Sequence, residues 1–229
     1  MHIVTGASRG IGRAVAAELA SRGETVVAVA RSAELLEALA AAHSRISPVP
    51  VDLSTDAGRR ILVAALDAVP VASVVHCAAS TVPVEAFVSI DADRLVEDFR
   101  IHVAALVAVT GLLITERGLG RVAIVDSYSA TTPRVGWAGY SVLKAATQMA
   151  ALALEREHPE VTVLRLFPGA VRTGLLEAVL DGPPSPARET YRALETDGAV
   201  AAPADVAHWI VDALLGSESS GALHFRPET

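Results

Sequence analysis

The stretch VTGASRGIG, residues 4–12, decides how this chain is read. An apolar run at 2–5 leads into it, and an alanine-rich stretch with helical character leaves it at 11–22. The chain has to turn sharply between the two, and its backbone has to come close to whatever lies over the turn. Gly6, Gly10 and Gly12 leave room for both. A helix starting at such a turn offers free N–H groups and a partial positive charge, which suit the phosphates of a dinucleotide. Ser8, Arg9 and Ile11 complete the loop. Glycines at this spacing carry weight because a strand precedes them and a helix follows.

Outward from the loop the alternation continues. Short apolar runs at 24–30, 47–52, 72–77, 121–127, 161–167 and 221–225 read as strands. Stretches at 33–42, 56–68, 91–116, 139–157, 188–196 and 204–215 read as helices. Near-continuous apolar strands alternating with helices predict a doubly wound parallel sheet of about seven strands, covered on both faces. The 229 residues suit one α/β domain over 1–229. Residues 174–203 interrupt the rhythm with DGPPSPARE, where proline blocks regular ladders. This reads as an inserted loop at the carboxyl edge of the sheet, either a candidate substrate lid or a solvated connection.

Bulk properties exclude several classes. Hydrophobic residues make up 52% of the chain and mean hydropathy is +0.42, which raises the question of a membrane span. The longest uncharged apolar stretch, 101–115, would cover about 22 Å as a helix, short of a ~30 Å hydrocarbon core, and reads as a buried core helix. A net charge of −7 with scattered arginines argues against nucleic-acid binding. The N-terminus lacks the pattern of a signal peptide and the single cysteine, Cys77, has no partner, so a cytoplasmic location is expected. No cluster of ligands suggests a metal: His76 reads as a hydrogen-bonded structural histidine and Cys77 as a small buried residue. The chain contains no asparagine and a single lysine, Lys144.

The identity of the dinucleotide turns on the residue after the second strand. An acid there, roughly 20 residues past the glycines, would hold the ribose 2′-OH of NAD. Arg31 stands there instead, and Arg9 lies in the glycine loop. Two guanidiniums bind a 2′-phosphate, which predicts NADP(H). Asp52, at the end of the third strand, is placed to accept from the adenine amino group, beside Leu53.

The second informative stretch is DSYSATTPRVGWAGYSVLK, residues 126–144. Tyr140 and Lys144 are spaced i, i+4 and share a helix face. Carbonyl reduction needs a hydride donor and an acid for the nascent alkoxide. A free phenol, pKa ≈ 10, is a weak acid–base catalyst at neutral pH. An ammonium about 4 Å away would favour tyrosinate by roughly 4 kcal/mol, about three pKa units. Ser127 can hold the carbonyl oxygen, and Lys144 has three donors where arginine would bring a planar fork. Ser129 either lines the pocket or merely solvates the loop, Tyr128 reads as packing, and Trp137 is either an aromatic wall or packing.

Taken together, TGxxxGxG at 5–12, Asp52, the Ser127–Tyr140–xxx–Lys144 set and PGAVRT at 168–173 resemble the short-chain dehydrogenase/reductase family over nearly the whole chain. The resemblance implies that Lys144 also reaches the nicotinamide ribose and that Pro168, Gly169, Val171 and Thr173 hold the nicotinamide end. It implies that Cys77, Ala78 and Ala79, in HCAA where the family has NNAG, let the cofactor approach. The family carries an asparagine on its long fourth helix that holds a water linking the lysine to solvent. His102 occupies that place here, and reads either as a relay, holding the same water or titrating near pH 6.5 to carry protons itself, or as a core histidine. The family often ends in a longer glycine-rich tail used in tetramer contacts, so a dimer is expected above a tetramer. VGWAGY and YRALETDGAVAAPADVA are similar to the benzil- and sepiapterin-reductase subgroup, which implies an α-dicarbonyl or aromatic ketone substrate. The alternative is an NADP(H)-binding sensor or scaffold with little turnover.

Overall fold

The computed structural model describes residues 1–66 and 69–225. Its sheet has seven parallel strands in the order β3-β2-β1-β4-β5-β6-β7. They are β1 (His2–Thr5), β2 (Val26–Ala30), β3 (Ile46–Pro50), β4 (Ser73–His76), β5 (Arg121–Val125), β6 (Thr162–Phe167) and β7 (Gly221–His224). The helices are α1 (Gly10–Ser21), α2 (Ala33–Ala42), α3 (Asp56–Ala64), α4 (Ala92–Phe99), α5 (Ala105–Arg117), α6 (Ala138–Glu157), α7 (Gly174–Asp181), α8 (Pro186–Thr196) and α9 (Pro203–Leu215). The strand order reverses between β1 and β4, and a crevice opens at the strands' carboxyl ends there.

Alternation along each strand builds two cores, one on each face. Val4, Val26, Ala28, Val75, Leu164 and Leu166 point one way, against Val15 and Leu19 of α1, Leu36 of α2 and Ile210 of α9. Ile3, Val27, Val29, Val74, Val122 and Ile124 point the other way, against Leu62 of α3, Val109 and Leu113 of α5 and Ala151 of α6. Leu19 and Ile210 have no exposed surface, so truncating either to alanine costs about 2–5 kcal/mol. β3 is an edge strand, and its Pro48 and Pro50 explain why. The neighbouring odd-numbered residue Val51 donates its N–H to Ala30 of β2, so the alternate positions face outward, where a missing donor costs nothing.

Several boundaries differ from the expected ones. β3 ends before Asp52 and β5 before Ser127, so both residues sit on the turns just past their strands. α3 ends at Ala64 rather than 68, and residues 67 and 68 lie outside the described ones. The apolar stretch at 101–115 belongs to one helical run, Ala92–Arg117, long and apolar enough to cross a membrane; the argument from a short span therefore fails. What identifies it as a core helix is packing: Leu106, Val109 and Leu113 face the sheet. A π turn at Arg100–Ala104 separates α4 from α5.

Residues 174–203 hold more helix than expected: besides α8, which contains the helix expected at 188–196, they form α7, and the two make a hairpin. The prolines do not break α8. Ser185 caps it, its hydroxyl accepting from the Arg188 N–H at 3.2 Å, and Pro186 takes the first helical position, where no donor is needed. Leu176, Val179 and Ala187 bury the hairpin's inner side.

Candidate active site

The glycine loop works by close approach. Gly6 has φ +67°, and a Cβ there would lie 2.7 Å from the Cys77 carbonyl oxygen; a Cβ on Gly12 would lie 2.5 Å from the Gly6 oxygen. The loop therefore packs directly on the β4 exit and on the first turn of α1. Thr5 locks the same junction: its Oγ1 accepts the N–H groups of Cys77 and Ala78, both at 3.2 Å. The first turn of α1 has no side-chain cap, so its N–H groups face the crevice.

A cleft of about 1030 Å³ runs along the carboxyl ends of the strands. Every residue assigned to the cofactor from sequence lies on its wall: Gly6, Ser8, Arg9, Gly10, Ile11 and Gly12; Arg31, Asp52 and Leu53; Cys77, Ala78 and Ala79; Pro168, Gly169, Val171 and Thr173. Ser127, Tyr140 and Lys144 line it too. Arg9 and Arg31 are exposed, and neither makes an ion pair among the described residues. Burial works to raise the Asp52 carboxyl, but hydrogen bonds from Ser54 and the charge of Arg31 hold it below the usual carboxylate range. The volume, the uncapped helix and the two free cations fit a dinucleotide. The PGAVRT segment is pinned to the chain beyond α8 by hydrogen bonds between Arg172 N–H and Ala201 O and between Ala201 N–H and Ala170 O.

Ser127 follows β5 and caps a 3-10 turn, its Oγ accepting the Ser129 N–H at 3.2 Å; Ser129 is buried and serves the turn. Tyr140 and Lys144 project from the first turns of α6. The Lys144 ammonium donates to the Val125 carbonyl at 2.7 Å and stands 5.7 Å from the centre of the Tyr140 ring. Contrary to expectation, the phenol is not drawn toward neutrality in this state. Burial pushes Tyr140 up to about 12, the adjacent Ser127 hydroxyl pulls it down, and the Asp126 carboxylate raises it. Burial also lowers Lys144, while Asp126 supports its charge. The expected shift assumed an ammonium beside the phenolic oxygen; here a backbone carbonyl holds that ammonium.

Trp137 is buried and stacks on Tyr140, ring centres 4.5 Å apart, with Tyr191 of α8 edge-on to it at 5.7 Å. It is both packing and wall, and it ties the hairpin to Tyr140. Tyr128 turns away, packing on Phe167 and donating or accepting a hydrogen bond with His224 Nδ1 at 2.9 Å. His76 bonds Thr110 at 2.9 Å, and burial drives it down to about 4, a neutral structural residue. Burial pushes the Cys77 thiol up to about 12, which leaves it unreactive.

His102 sits in the π turn. Its Nε2 accepts the Ser80 N–H at 3.1 Å, so its proton resides on Nδ1. Burial, reinforced by the Lys144 charge, drives it down to about 3. At that value His102 is neutral at pH 6.5, which speaks against a relay through imidazolium. A small cavity of about 20 Å³ lies between His102, Lys144, Thr147 and Thr5, with room for one water. Ser80 also bonds the buried Asp98 carboxylate. Sequence reading missed Thr5, Ser80, Asp98, Asp126, Gln148 and Tyr191. Of these only Thr5, inside the glycine motif, carried a local signal.

A doubly wound sheet with this crevice, and a serine, a tyrosine and a lysine at its mouth, defines an oxidoreductase working with a nicotinamide dinucleotide. The chain belongs to the short chain dehydrogenase family, whose family model matches residues 1–183. It is 28% identical to sepiapterin reductase of Mus musculus over 221 residues, covering 86% of this chain and 85% of that one. To sepiapterin reductase of Xenopus laevis it is 31% identical over 196 residues, covering 76% and 74%. Among solved structures it is similar to the KRED1-Pglu enzyme, with a TM-score of 0.88 and 26% identity over 97% of this chain and 99% of that one. The chain is thus an oxidoreductase acting on C=O and CH–OH groups.

Proposed function

We propose that the chain is an NADPH-dependent carbonyl reductase acting on an α-dicarbonyl or aromatic ketone. The observation that carries the cofactor choice is the pair of exposed guanidiniums, Arg9 and Arg31, neither in an ion pair among the described residues, on the wall of the cleft where the adenosine ribose would lie. On the substrate side, Trp137, Tyr191, Leu175 and Leu176 form an apolar, aromatic wall suited to a flat carbonyl compound. The similarity to sepiapterin reductases supports the same class.

Bound in the cleft, NADPH supplies the hydride. Ser127 donates a hydrogen bond to the carbonyl oxygen and orients it. Tyr140, kept as the neutral phenol by burial, delivers its proton to that oxygen as negative charge develops. The Lys144 ammonium, 5.7 Å from the centre of the ring, then favours the tyrosinate left behind by charge attraction. His102 stays neutral and supports the Ser80 backbone and the small cavity beside Lys144.

The chain assembles as a dimer in this reading. Val96, Phe99 and Val107 on the α4–α5 run and Val142 and Met149 on α6 are exposed, and the two stretches pack side by side. The test of the reductase reading is NADPH oxidation against a panel of diketones and aryl ketones, with Tyr140→Phe as the control. Turnover lost in the variant, with NADPH binding retained, supports it. Equal activity in both proteins, or NADPH binding with no turnover on any carbonyl, overturns it.

A further inference from the structure

Asp126 directly precedes Ser127, yet nothing in the mechanism above uses it. It is buried at the exit of β5. Its Oδ1 accepts the Ser127 N–H at 2.7 Å, and its Oδ2 accepts from Gln148 Nε2 at 3.2 Å. Its own N–H donates to Leu166 of β6 at 2.7 Å. Gln148 lies one helical turn beyond Lys144 on α6, so Gln148, Lys144 and Tyr140 rise along one side of the helix. One carboxylate thus grips the backbone of the serine turn with one oxygen and the catalytic helix with the other.

We propose that Asp126 and Gln148 form a clasp that fixes the Ser127 turn against α6, and that Asp126 is the buried counter-charge of Lys144. Asp126 is then a positioning residue for the catalytic set. The inference rests on the reductase reading for its kinetic consequences only; the geometry stands without it.

Electrostatics agree in sign. The charged and titratable neighbours of Asp126 are Lys144 and Tyr140 from α6 and Arg165 from β6. Lys144 is further faced by Cys77 beyond β4 and by His102 from the π turn, neither charged at neutral pH. No ion pair within contact distance joins Asp126 to Lys144 among the described residues, so the two buried groups act on each other through space rather than by contact. A carboxylate there favours the ammonium and disfavours tyrosinate. Burying an ammonium without a compensating charge would push its proton off. Asp126 keeps Lys144 a cation and Tyr140 an acid.

The single lysine makes a direct test possible. Chain labelled with [13C]lysine gives one ε-methylene signal, that of Lys144, in cofactor-free protein. Its shift is followed from about pH 6 to about pH 11, spanning the ordinary lysine range. The variants are Asp126→Asn, which keeps shape and loses charge, and Gln148→Met, which opens the clasp and keeps the charge. In Asp126→Asn the Lys144 midpoint moves to lower pH, and the alkaline limb of kcat for NADPH-dependent reduction of a diketone moves with it. In Gln148→Met the midpoint stays, while kcat falls about tenfold as the serine and the tyrosine lose their register. An unmoved midpoint in Asp126→Asn overturns the counter-charge, as it would if Asp126 were itself protonated. Wild-type kcat in Gln148→Met overturns the clasp. If no carbonyl is turned over by the wild type, the reductase reading fails while the lysine titration still decides the counter-charge. Should Asp126→Asn fold poorly, Asp126→Ser, read by the same signal, replaces it with the same expected direction.

Discussion

Replacing Arg31 by aspartate changes the charge facing the ribose from +1 to −1 at a position exposed to solvent. Water's dielectric governs there, and two unit charges about 4 Å apart interact by ~1 kcal/mol. A phosphate monoester carries about −1.5 to −2 charges, so the reversal costs NADPH ~3–4 kcal/mol before screening. Salt at physiological strength and the surviving Arg9 reduce this to ~2 kcal/mol, about 30-fold in affinity. NADH lacks the phosphate, and its affinity stays nearly level or improves as the new carboxylate meets the ribose 2′-OH. The measurement is the ratio of Kd for NADPH and NADH, by fluorescence titration, in wild type and Arg31→Asp at two salt concentrations. The wild-type ratio favours NADPH, the variant ratio falls about 30-fold, and the gap narrows at high salt. A ratio unchanged by the substitution would remove Arg31 from the phosphate site and the argument for NADPH with it.

Lys144→Arg folds normally and loses most of its turnover, because a planar fork cannot make the Val125 contact and face Tyr140 at once; near-wild-type kcat would show that any cation suffices. His102→Leu orphans the Ser80 N–H and destabilises the chain by about 1–3 kcal/mol, whereas His102→Asn recovers most of that loss; equal denaturation midpoints for the two contradict the assigned hydrogen bond. With His102 and His76 neutral down to about pH 3 and 4, kcat shows no inflection between pH 5.5 and 7.5, roughly the ordinary histidine range, and an inflection there that His102→Asn abolishes would revive the imidazolium relay. Light scattering gives a dimer mass for the wild type under the proposed assembly and a monomer mass for Val142→Glu combined with Met149→Glu, without loss of secondary structure; a dimer mass in both would move the interface elsewhere.

The parts legible in the sequence were those fixed by local geometry. A glycine turn between a strand and a helix is specified by its own residues, as the approach of Gly6 to Cys77 shows. The i, i+4 pair of Tyr140 and Lys144 needs only a helix. What escaped depends on neighbours distant in the chain. The prolines at 183, 184 and 186 resemble a loop until Ser185 is seen capping a helix. Asp126 reads as an ordinary strand end until Gln148 and Lys144 arrive from α6. The tautomer of His102 is set by a backbone N–H contributed from residue 80, and its charge state by burial beside Lys144 from α6. The Tyr140 expectation failed because spacing fixes which face two side chains share, not which acceptor captures the longer one.

The π turn at Arg100–Ala104 is, in register terms, one residue more than a regular helix would hold. Each helical residue advances about 100° around the axis. Deleting one residue within the turn would let the run close into a continuous α-helix, and α4 would swing by that angle relative to α5. With α5 held by Leu106, Val109 and Leu113, the rotation would fall on α4. Asp98 would leave Ser80, and the exposed row of Val96 and Phe99 would turn to a new heading. The surplus residue thus works as a phase setting: it lets one helix serve the sheet with one half and aim a different face outward with the other, and the chain cannot be shortened there without turning both the Ser80 contact and the outer apolar row.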